Sequence, residues 1–418
     1  MTPEPGTSPV ALDGTRLLYV ARQPVFDRHS EVIGYELLFR SGPENRFTAT
    51  DIEAASALGI EQSTAAFGFD ELVGRRLAFV NLTRGALLGG FYKLLPRERT
   101  VIELLEDIEP DFEVLEACRE LKESGYRLAL DDFTDAPSSL PLLAYADCVK
   151  VDFRRLAHAC DPHLIQRMRR HEVHMLAEKV ESHPEHRHAM DAGYDLFQGY
   201  YYCRPQMIET RDLPPSKLSR LRFLAAVTRD DASFDELEEV FREDVGLTVR
   251  LLRYLNSAAF GWRYEIGSLH HALALMGLQP LRKWATIMGF VALAEDRPHE
   301  LAVTSLTRAR FAEQLGPPSG LAAHELELFL TGMLSTAEAM IGRPLAEVLG
   351  GLAVPDTVKS ALTGGGSPLD PVMDMVTSYE RGDWPAVENV RETCALDDAS
   401  LSAAYVSSLR WAEAAARV

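Results

Sequence analysis

Tyr126-Arg127-Leu128-Ala129-Leu130-Asp131-Asp132-Phe133 is the stretch that decides the fold of this chain. A mainly apolar run of strand length ends here in two carboxylates. Other strand-like runs in the first half end in one polar residue each, and these residues are Glu36, Asn81, Glu103, Lys150 and Glu178. A (β/α) barrel builds its site from residues at the ends of successive strands. Because carboxylate and amide oxygens suit hard divalent cations, the pattern predicts a metal-dependent site for phosphate chemistry.

The first half of the chain alternates between strand-like and helix-like patterns. We predict strands over residues 17–21, 32–39, 76–82, 101–105, 126–131, 148–152, 173–178 and 194–198. Helices are predicted over residues 52–68 and 111–124. This α/β alternation favours a mainly parallel sheet, and so many units favour a closed TIM-type (β/α) barrel. A short turn at residues 27–30 joins the first two strands, so they should form a hairpin that makes one barrel strand antiparallel.

The second half is predicted to be all-α. Apolar residues recur three and four positions apart over residues 218–227, 234–241, 249–255, 269–276, 281–294, 301–315, 326–341 and 401–416. Prolines between residues 205 and 215 indicate a linker before this half. We therefore expect a disordered tail at 1–16, a barrel domain at 17–208, a linker at 209–216 and a helical domain at 217–418.

The charge and cysteine content of the chain exclude several classes of protein. Its 418 residues carry a net charge of −19, which argues against a nucleic-acid partner, because phosphate backbones need clustered Lys and Arg. No run of about 20 apolar residues occurs, so no membrane span is expected. The five cysteines are scattered and form no Cys-x-x-Cys motif. With no signal-peptide pattern at the first residues, we expect a reduced protein with a cytoplasmic localisation.

The motifs of the first half, taken in order, resemble the EAL domain, a phosphodiesterase-type module that recognises cyclic di-GMP. The matching segments are Gln23-Pro24, Glu36-Leu37-Leu38-Phe39-Arg40, Asn81-Leu82-Thr83, Glu103 with Glu106, Asp131-Asp132-Phe133, Lys150-Val151-Asp152, Ala177-Glu178-Lys179-Val180-Glu181, Gln198-Gly199-Tyr200 and Pro205. Any one of these segments alone is a weak signal. Their shared order from residue 23 to residue 205 makes the resemblance specific.

The resemblance implies a role for each matching residue. The divalent cations, Mg²⁺ or Mn²⁺, are expected to bind Glu36, Asn81, Glu103, Asp131 and Asp132. The catalytic residues are expected to be Lys150, Glu178 and Gln198, where Lys150 orients the water that two metal ions activate. Cyclic di-GMP itself is expected to contact Gln23, Arg40, Asp132 and Gln198. The planar guanidinium of Arg40 suits a phosphate group.

Two departures from the EAL pattern bear on hydrolysis. Active EAL domains continue Asp-Asp-Phe with Gly-Thr-Gly, whereas this chain has Thr134-Asp135-Ala136. The loss of both glycines removes backbone angles that only glycine adopts readily. Lys179 also replaces the glycine of the Ala-Glu-Gly-Val-Glu motif and adds a cation beside Glu178. Because most ligands are kept, the sequence leaves hydrolysis open.

The helical half resembles the HDOD domain, a relative of the HD phosphohydrolases. The resemblance lies in residues 251–261, 266–269 and 272–277. An HD hydrolase needs adjacent His and Asp on a helix, but the comparable place reads Gly332-Met333-Leu334-Ser335-Thr336. No His-Asp pair occurs in the second half. The resemblance therefore implies an interaction module that relays to a protein partner, in a known two-domain EAL–HDOD family.

Three functions are compatible with these patterns. The preferred hypothesis is a cyclic di-GMP signalling protein whose barrel binds the ligand, with weak hydrolysis at most, and whose HDOD domain signals to a partner. The first alternative is an active phosphodiesterase that releases linear pGpG. The second alternative is a protein-interaction scaffold without catalysis. Because EAL barrels often dimerise, the resemblance also predicts a homodimer.

Overall fold

Strands occupy the first half of the described chain and helices occupy the second. The computed structural model describes residues 18–41, 68–134, 136–137, 139–155, 159–204, 215–228, 233–236, 238, 249, 252, 256, 266–394 and 398–417. Some predicted segments lie outside these residues. They are the tail at 1–16, residues 52–67 of the first predicted helix, residues 209–214 of the linker, and most of 234–241 and 249–255.

The described strands close into an eight-stranded barrel. They are β1 (Leu18–Phe26), β2 (Val32–Ser41), β3 (Leu77–Leu82), β4 (Thr100–Leu104), β5 (Arg127–Leu130), β6 (Cys148–Asp152), β7 (His174–Glu178) and β8 (Leu196–Gln198). Each strand pairs with the next in chain order, and β1 runs antiparallel to both of its neighbours, β2 and β8. The predicted TIM-type barrel with one antiparallel strand is therefore confirmed.

Short helices follow the parallel strands. They are α1 (Phe69–Val73), α2 (Arg84–Leu88), α3 (Phe112–Glu123), α4 (Pro162–His171) and α5 (His183–Ala192). The predicted helix at 111–124 corresponds to α3, which begins after Asp111, because the Asp111 side chain accepts a hydrogen bond from the Val114 backbone N–H at 2.9 Å. α3 buries Val114, Cys118 and Leu121, the spacing of one helical face.

An apolar layer fills the inside of the barrel. Its buried members are Val25, Phe79, Val101, Ala129, Cys148 and Leu176. Gly34 of β2 leaves room for this layer, because a Cβ at residue 34 would lie 2.8 Å from Cε2 of Phe79. The layer closes the barrel below the carboxyl ends of the parallel strands, the end at which barrels of this type build their sites.

The second half is helical, as predicted. Its described helices are α6 (Pro215–Val227), α7 (Leu269–Met276), α8 (Leu278–Leu293), α9 (His299–Leu315), α10 (Glu325–Leu334), α11 (Ala337–Ile341), α12 (Leu345–Gly350), α13 (Asp356–Thr363), α14 (Asp370–Arg381), α15 (Trp384–Cys394) and α16 (Asp398–Ala416). Within the described residues, none of these helices is long and apolar enough to cross a membrane.

The structure differs from the sequence prediction in two helical stretches. The single helix predicted over 326–341 is two helices, α10 and α11, which Ser335 and Thr336 separate. Helices α12 to α15 occupy residues for which no individual helix was predicted. α12 and α13 have 6 and 8 residues and begin after Pro344 and Pro355. Helices this short show too few turns for the apolar period to be recognised.

The hairpin of β1 and β2 joins the barrel to the helical half. These strands have 9 and 10 residues, whereas the other strands have three to six. The ring of Tyr19 on β1 packs against Tyr379 of α14 and Trp384 of α15, with ring-centroid distances of 6.1 and 5.6 Å. Buried apolar side chains from the barrel and the helices form one cluster. The two halves therefore share a core.

A buried charge cluster lies at this junction. The Arg22 guanidinium donates to the Leu72 carbonyl at 2.8 Å and to Glu413 Oε1 at 3.0 Å, and it lies 3.9 Å from the Tyr35 ring centroid. The Tyr35 hydroxyl donates to Glu300 Oε2 of α9 at 2.8 Å. Burial raises the pKa of Glu300 to about 7, although the Arg22 charge and the Tyr35 hydrogen bond act in the opposite direction.

Glu300→Gln should remove a pH dependence of stability. The folded pKa of Glu300, about 7, lies above its ordinary value of 4.5. The stability linked to its protonated form is therefore fully present below pH 4.5 and is lost as the pH rises through 7. The charged groups that face Glu300 are Arg22, Arg76 and Glu413, and the neutral Tyr35 hydroxyl donates a hydrogen bond to it. Relative to wild type, the variant should gain about 2 kcal/mol of unfolding free energy between about pH 5 and about pH 8.

Thermal unfolding across this pH range measures the gain. The control is Glu347→Gln, because Glu347 lies in an exposed pair with Arg343. Parallel pH curves for Glu300→Gln and wild type would contradict the prediction.

Candidate functional site

The period of the strands brings the predicted site residues together. Successive side chains of a strand point to opposite faces, so residues two positions apart share a face. The apolar residues of the inner layer are therefore followed, two positions on, by residues that point into the barrel mouth. The pairs are Phe79 and Asn81, Val101 and Glu103, Ala129 and Asp131, Cys148 and Lys150, and Leu176 and Glu178. Because β1 runs the other way, Gln23 precedes its inner-layer residue, Val25.

Lys150 is the centre of this polar layer. Its ammonium nitrogen lies 2.9 Å from Glu178 Oε1, 3.0 Å from Asp131 Oδ1, 3.1 Å from Glu103 Oε1 and 3.3 Å from Glu36 Oε2. Lys150 is only 1% exposed. Four carboxyl groups from different strands therefore meet at one buried cation. The sequence placed all five residues in one site, but it did not indicate that the carboxyl groups surround the lysine.

Burial and charge have opposite effects on these groups. Burial would lower the pKa of Lys150, but the four carboxyl groups raise it well above 10.5, so the ammonium is retained. Burial raises the pKa of Glu103 well above 4.5 and that of Glu178 to about 7, against the effect of Lys150. For Glu36, Lys150 and two amide hydrogen bonds outweigh burial and lower the pKa below 4.5. One ammonium against four carboxyl groups leaves an excess of acidic groups.

Two amide side chains orient Glu36. Asn81 Nδ2 donates to Glu36 Oε1 at 2.8 Å, and Gln198 Nε2 donates to Glu36 Oε2 at 2.6 Å and to Gln23 Oε1 at 3.1 Å. Several buried acceptor oxygens at this site have no hydrogen-bond donor within the described structure. They are Asn81 Oδ1, Gln198 Oε1 and Glu103 Oε2, while Glu103 Oε1 has only the Lys150 ammonium, at 3.1 Å. Buried acceptors without a donor are costly, and a bound cation would satisfy them.

The donor set fits a hard divalent cation in its chemistry. Carboxylate and amide oxygens are the ligands that Mg²⁺ and Mn²⁺ prefer, and such an ion neutralises an excess of buried carboxylates. Among the residues that the structure describes, no three His, Cys, Asp or Glu side chains are already arranged as a metal cluster. The carboxyl groups point at Lys150 instead. Metal binding by Glu36, Asn81, Glu103 and Asp131 therefore stays a prediction, and it requires the three carboxyl groups to turn from the ammonium.

Asp132 and Lys179 form a separate ion pair at the mouth. Their backbones are left-handed, with φ of 39° and 57°, which is uncommon for residues other than glycine. Lys179 Nζ lies 3.3 Å from Asp132 Oδ1 and 3.2 Å from Asp152 Oδ2. Lys179 thus adopts backbone angles that suit the glycine it replaces. It also places its ammonium on Asp132, which was predicted to bind both metal and ligand.

A cavity of about 540 Å³ opens above these groups. The predicted site residues that line it are Gln23, Glu36, Asp131, Asp132, Glu178 and Gln198. Sequence reasoning missed three cations that also line it, Arg154, Arg204 and Arg381. Arg154 follows β6 by two residues, so its position at a strand end was a usable signal, whereas Arg381 belongs to α14 and had none. The side chain of Arg40 lies outside the described residues.

Comparisons with known proteins agree with these motifs. A family model described as EAL domain matches residues 79–205, and one described as HDOD domain matches residues 213–343. The cyclic di-GMP phosphodiesterase CdgJ of Vibrio cholerae serotype O1 is 30% identical over 401 residues, which are 94% of this chain and 92% of that protein. The chain belongs to the EAL–HDOD family.

Two further similarities extend the comparison. The uncharacterized protein YuxH of Bacillus subtilis is 29% identical to this EAL–HDOD chain over 402 residues, which are 94% of this chain and 98% of that protein. A solved structure of Klebsiella pneumoniae BlrP1 with manganese and cyclic di-GMP has a TM-score of 0.38 at 23% identity, over 46% of this chain and 57% of that chain. Strands β1 and β2 precede the residues that the EAL model matches, and α12 to α16 follow those that the HDOD model matches.

Lys150→Met should destabilise the barrel of this EAL–HDOD protein. Removing one partner of a buried ion pair leaves uncompensated charge and costs about 3–5 kcal/mol. Lys122→Met is the matched control, because it breaks a partly exposed pair with Asp147 and should cost less than about 1 kcal/mol. Chemical unfolding in the presence of a chelator measures both. Equal, small losses in the two variants would contradict a central role for Lys150.

Proposed function

We propose that this EAL–HDOD protein is a signalling protein that binds cyclic di-GMP at the mouth of its barrel, together with a divalent cation. The observation that carries the proposal is the meeting of carboxyl groups, amides and basic side chains around one cavity. The cavity volume of about 540 Å³ lies in the range of small-molecule sites. The name of the Vibrio cholerae relative supports cyclic di-GMP as the ligand.

The proposal assigns ligand binding to one half of the chain and signalling to the other. Residues 17–208 would bind the ligand, and residues 217–418 would pass the bound state to a protein partner. The support for this division is the buried junction, where β1 and β2 carry Gln23 and Glu36 of the site as well as Tyr19 and Arg22, which contact the helices. A change at the site therefore acts on strands that the helical half contacts directly.

The divalent cation of the proposal is Mg²⁺ or Mn²⁺. The residues that would hold it are Glu36, Asn81, Glu103, Asp131 and Asp132. When bound, such an ion neutralises phosphate charge and activates water. Protein side chains orient the ligands of the cation and bind the phosphate groups. Gln198 and Asn81 orient Glu36, and basic side chains at the cavity rim offer charge-assisted hydrogen bonds to phosphate oxygens.

We infer that binding dominates over hydrolysis. The support is the ion pair between Lys179 and Asp132, since an ammonium at 3.3 Å competes with any metal ion for the same carboxylate. Asp152 shares this lysine and also pairs with Arg154 at 2.7 Å, and the Arg154 hydrogen bonds, with help from Lys179, lower the pKa of Asp152 despite its burial. The pairing therefore ties Asp132 to a network of charges outside the catalytic set.

A second candidate function is an active phosphodiesterase that produces linear pGpG. The observation in its favour is the gathering of Glu36, Glu103, Asp131 and Glu178 within 3.3 Å of the Lys150 ammonium. In this case Lys150 would orient the attacking water. Glu178, whose pKa is raised to about 7 by burial, would hold or release a proton near neutral pH.

Calorimetric titration of the full chain with cyclic di-GMP, with and without Mn²⁺, tests the proposal. Wild type should bind, and Glu36→Gln should lose at least about tenfold in the affinity measured with Mn²⁺, because it removes a ligand carboxylate. Glu116→Gln is the control, since Glu116 lies in an exposed pair with Arg119. Absence of binding under both conditions would overturn the proposal. Chromatography of the incubated dinucleotide decides between the two candidates.

Lys179→Gly should raise any phosphodiesterase turnover. The glycine adopts the left-handed backbone at lower cost and frees Asp132 from its ammonium partner. Lys179→Ala is the matched variant, because it frees Asp132 but keeps a Cβ in that conformation. We expect the order glycine, then alanine, then wild type in linear product formed with Mn²⁺. Equal, negligible product from all three proteins would show that Lys179 does not limit hydrolysis.

A further inference from the structure

We propose that Arg381, in the helical half, binds a phosphate group of the dinucleotide held in the barrel cavity. This inference rests on the proposed function. Both halves would then contribute to the ligand site, and α14 would add one guanidinium to those that the barrel itself supplies. Arg381 follows the residues matched by either family model, so neither match accounts for it.

The end of α14 reaches the barrel mouth through a tight turn. Gly382 has φ of 68°, and its backbone N–H donates to the Tyr379 carbonyl at 3.0 Å, while the Asp383 N–H donates to the Ser378 carbonyl at 2.9 Å. These bonds end the helix in the way typical of a glycine cap. A Cβ at residue 382 would lie 2.7 Å from Cδ1 of Leu38 on β2. The left-handed φ favours glycine at this position, and any larger residue would also have to displace the Leu38 side chain.

Two side chains of the barrel hold this turn in place. Gln23 Nε2 donates to the Arg381 carbonyl at 3.2 Å, and the Tyr200 hydroxyl donates to the Glu380 carbonyl at 3.1 Å. Both bonds go to backbone oxygens, so they do not depend on the side chain of Arg381. Gln23 also accepts from Gln198, which is itself bonded to Glu36. The turn is thus hydrogen-bonded to the polar network of the site.

The charge of Arg381 is available to a ligand. Its neighbour Glu380 accepts two hydrogen bonds from Arg308, at 2.6 and 2.8 Å. Arg381 has no ion-pair partner among the described residues; its guanidinium carbon lies 5.7 Å from the Tyr200 ring centroid, and its side chain lines the cavity. Arg154 and Lys179, in contrast, are already paired with Asp152 and Asp132.

The unpaired guanidinium groups of the cavity suit the phosphate groups of a cyclic dinucleotide. Within the described structure, Arg204 and Arg381 are the cavity cations without a carboxylate partner. A cyclic dinucleotide carries two phosphate groups, each an acceptor for a planar guanidinium. Acidic groups dominate the floor of the cavity, so unpaired cations at its rim offset the repulsion that a dianion would meet. Arg381 supplies one of these cations from outside the barrel.

Titration of the full-length protein with cyclic di-GMP tests the inference. Wild type, Arg381→Ala and Arg381→Lys are compared in the same Mn²⁺ buffer, and chromatography checks that the dinucleotide stays intact. Arg343→Ala is the control, since it removes an exposed guanidinium of the helical half that pairs with Glu347. We expect Kd to rise about tenfold to a hundredfold in Arg381→Ala, less in Arg381→Lys, and to stay unchanged in the control.

Hydrogen exchange provides a second readout. In wild type, the ligand should slow amide exchange in residues 384–394, which form α15, whereas in Arg381→Ala slowing should be confined to the barrel. Binding by Arg381→Ala within about twofold of wild type would overturn this inference and leave the proposed function standing. Failure of wild type to bind would overturn both.

Discussion

The rest of the structure depends on the strict alternation of side chains along the buried strands. One set of inward positions is apolar and closes the barrel, and the set two residues further on is polar and forms its mouth. The two layers cannot be shifted independently, because a slip of one residue would exchange inward and outward faces. Lys150 can therefore sit among four carboxyl groups, held there by the apolar layer below.

This alternation also explains how far the sequence predicts the site. A polar residue directly after an apolar run identifies a strand end, so Glu36, Glu103 and Asp131 could be assigned to one mouth before any coordinates. The antiparallel first strand was predicted from a different signal, the short turn at residues 27–30, because two strands joined by so short a turn cannot pair in parallel. α14 was not predicted, although Val372, Met375, Val376 and Tyr379 form its buried face with helical spacing. Its pattern was present in the sequence but was not recognised.

Contacts between distant segments could not be predicted in this way. Arg381 reaches the mouth from more than 170 residues after the last barrel strand, at Gln198, and no local pattern links the two. Lys179 was recognised as a departure from the EAL motif. Its pairing with Asp132 and Asp152 depends on left-handed backbone angles at Lys179 and Asp132, which non-glycine residues rarely adopt and the sequence does not indicate. Local periodicity thus places a residue on a face, and only the fold shows which charges meet there.

The length of the β1–β2 hairpin has a consequence for how the molecule can be divided. Tyr19, Val20 and Ala21 are buried at exposures of 1% or less, and part of their cover comes from the helical half. A barrel cut free after its last strand would present this ribbon, with its rings and a buried arginine, to water. Such a fragment would expose apolar surface and would be prone to self-association. The two halves are therefore separate stretches of the sequence, but their shared core makes them one folding unit.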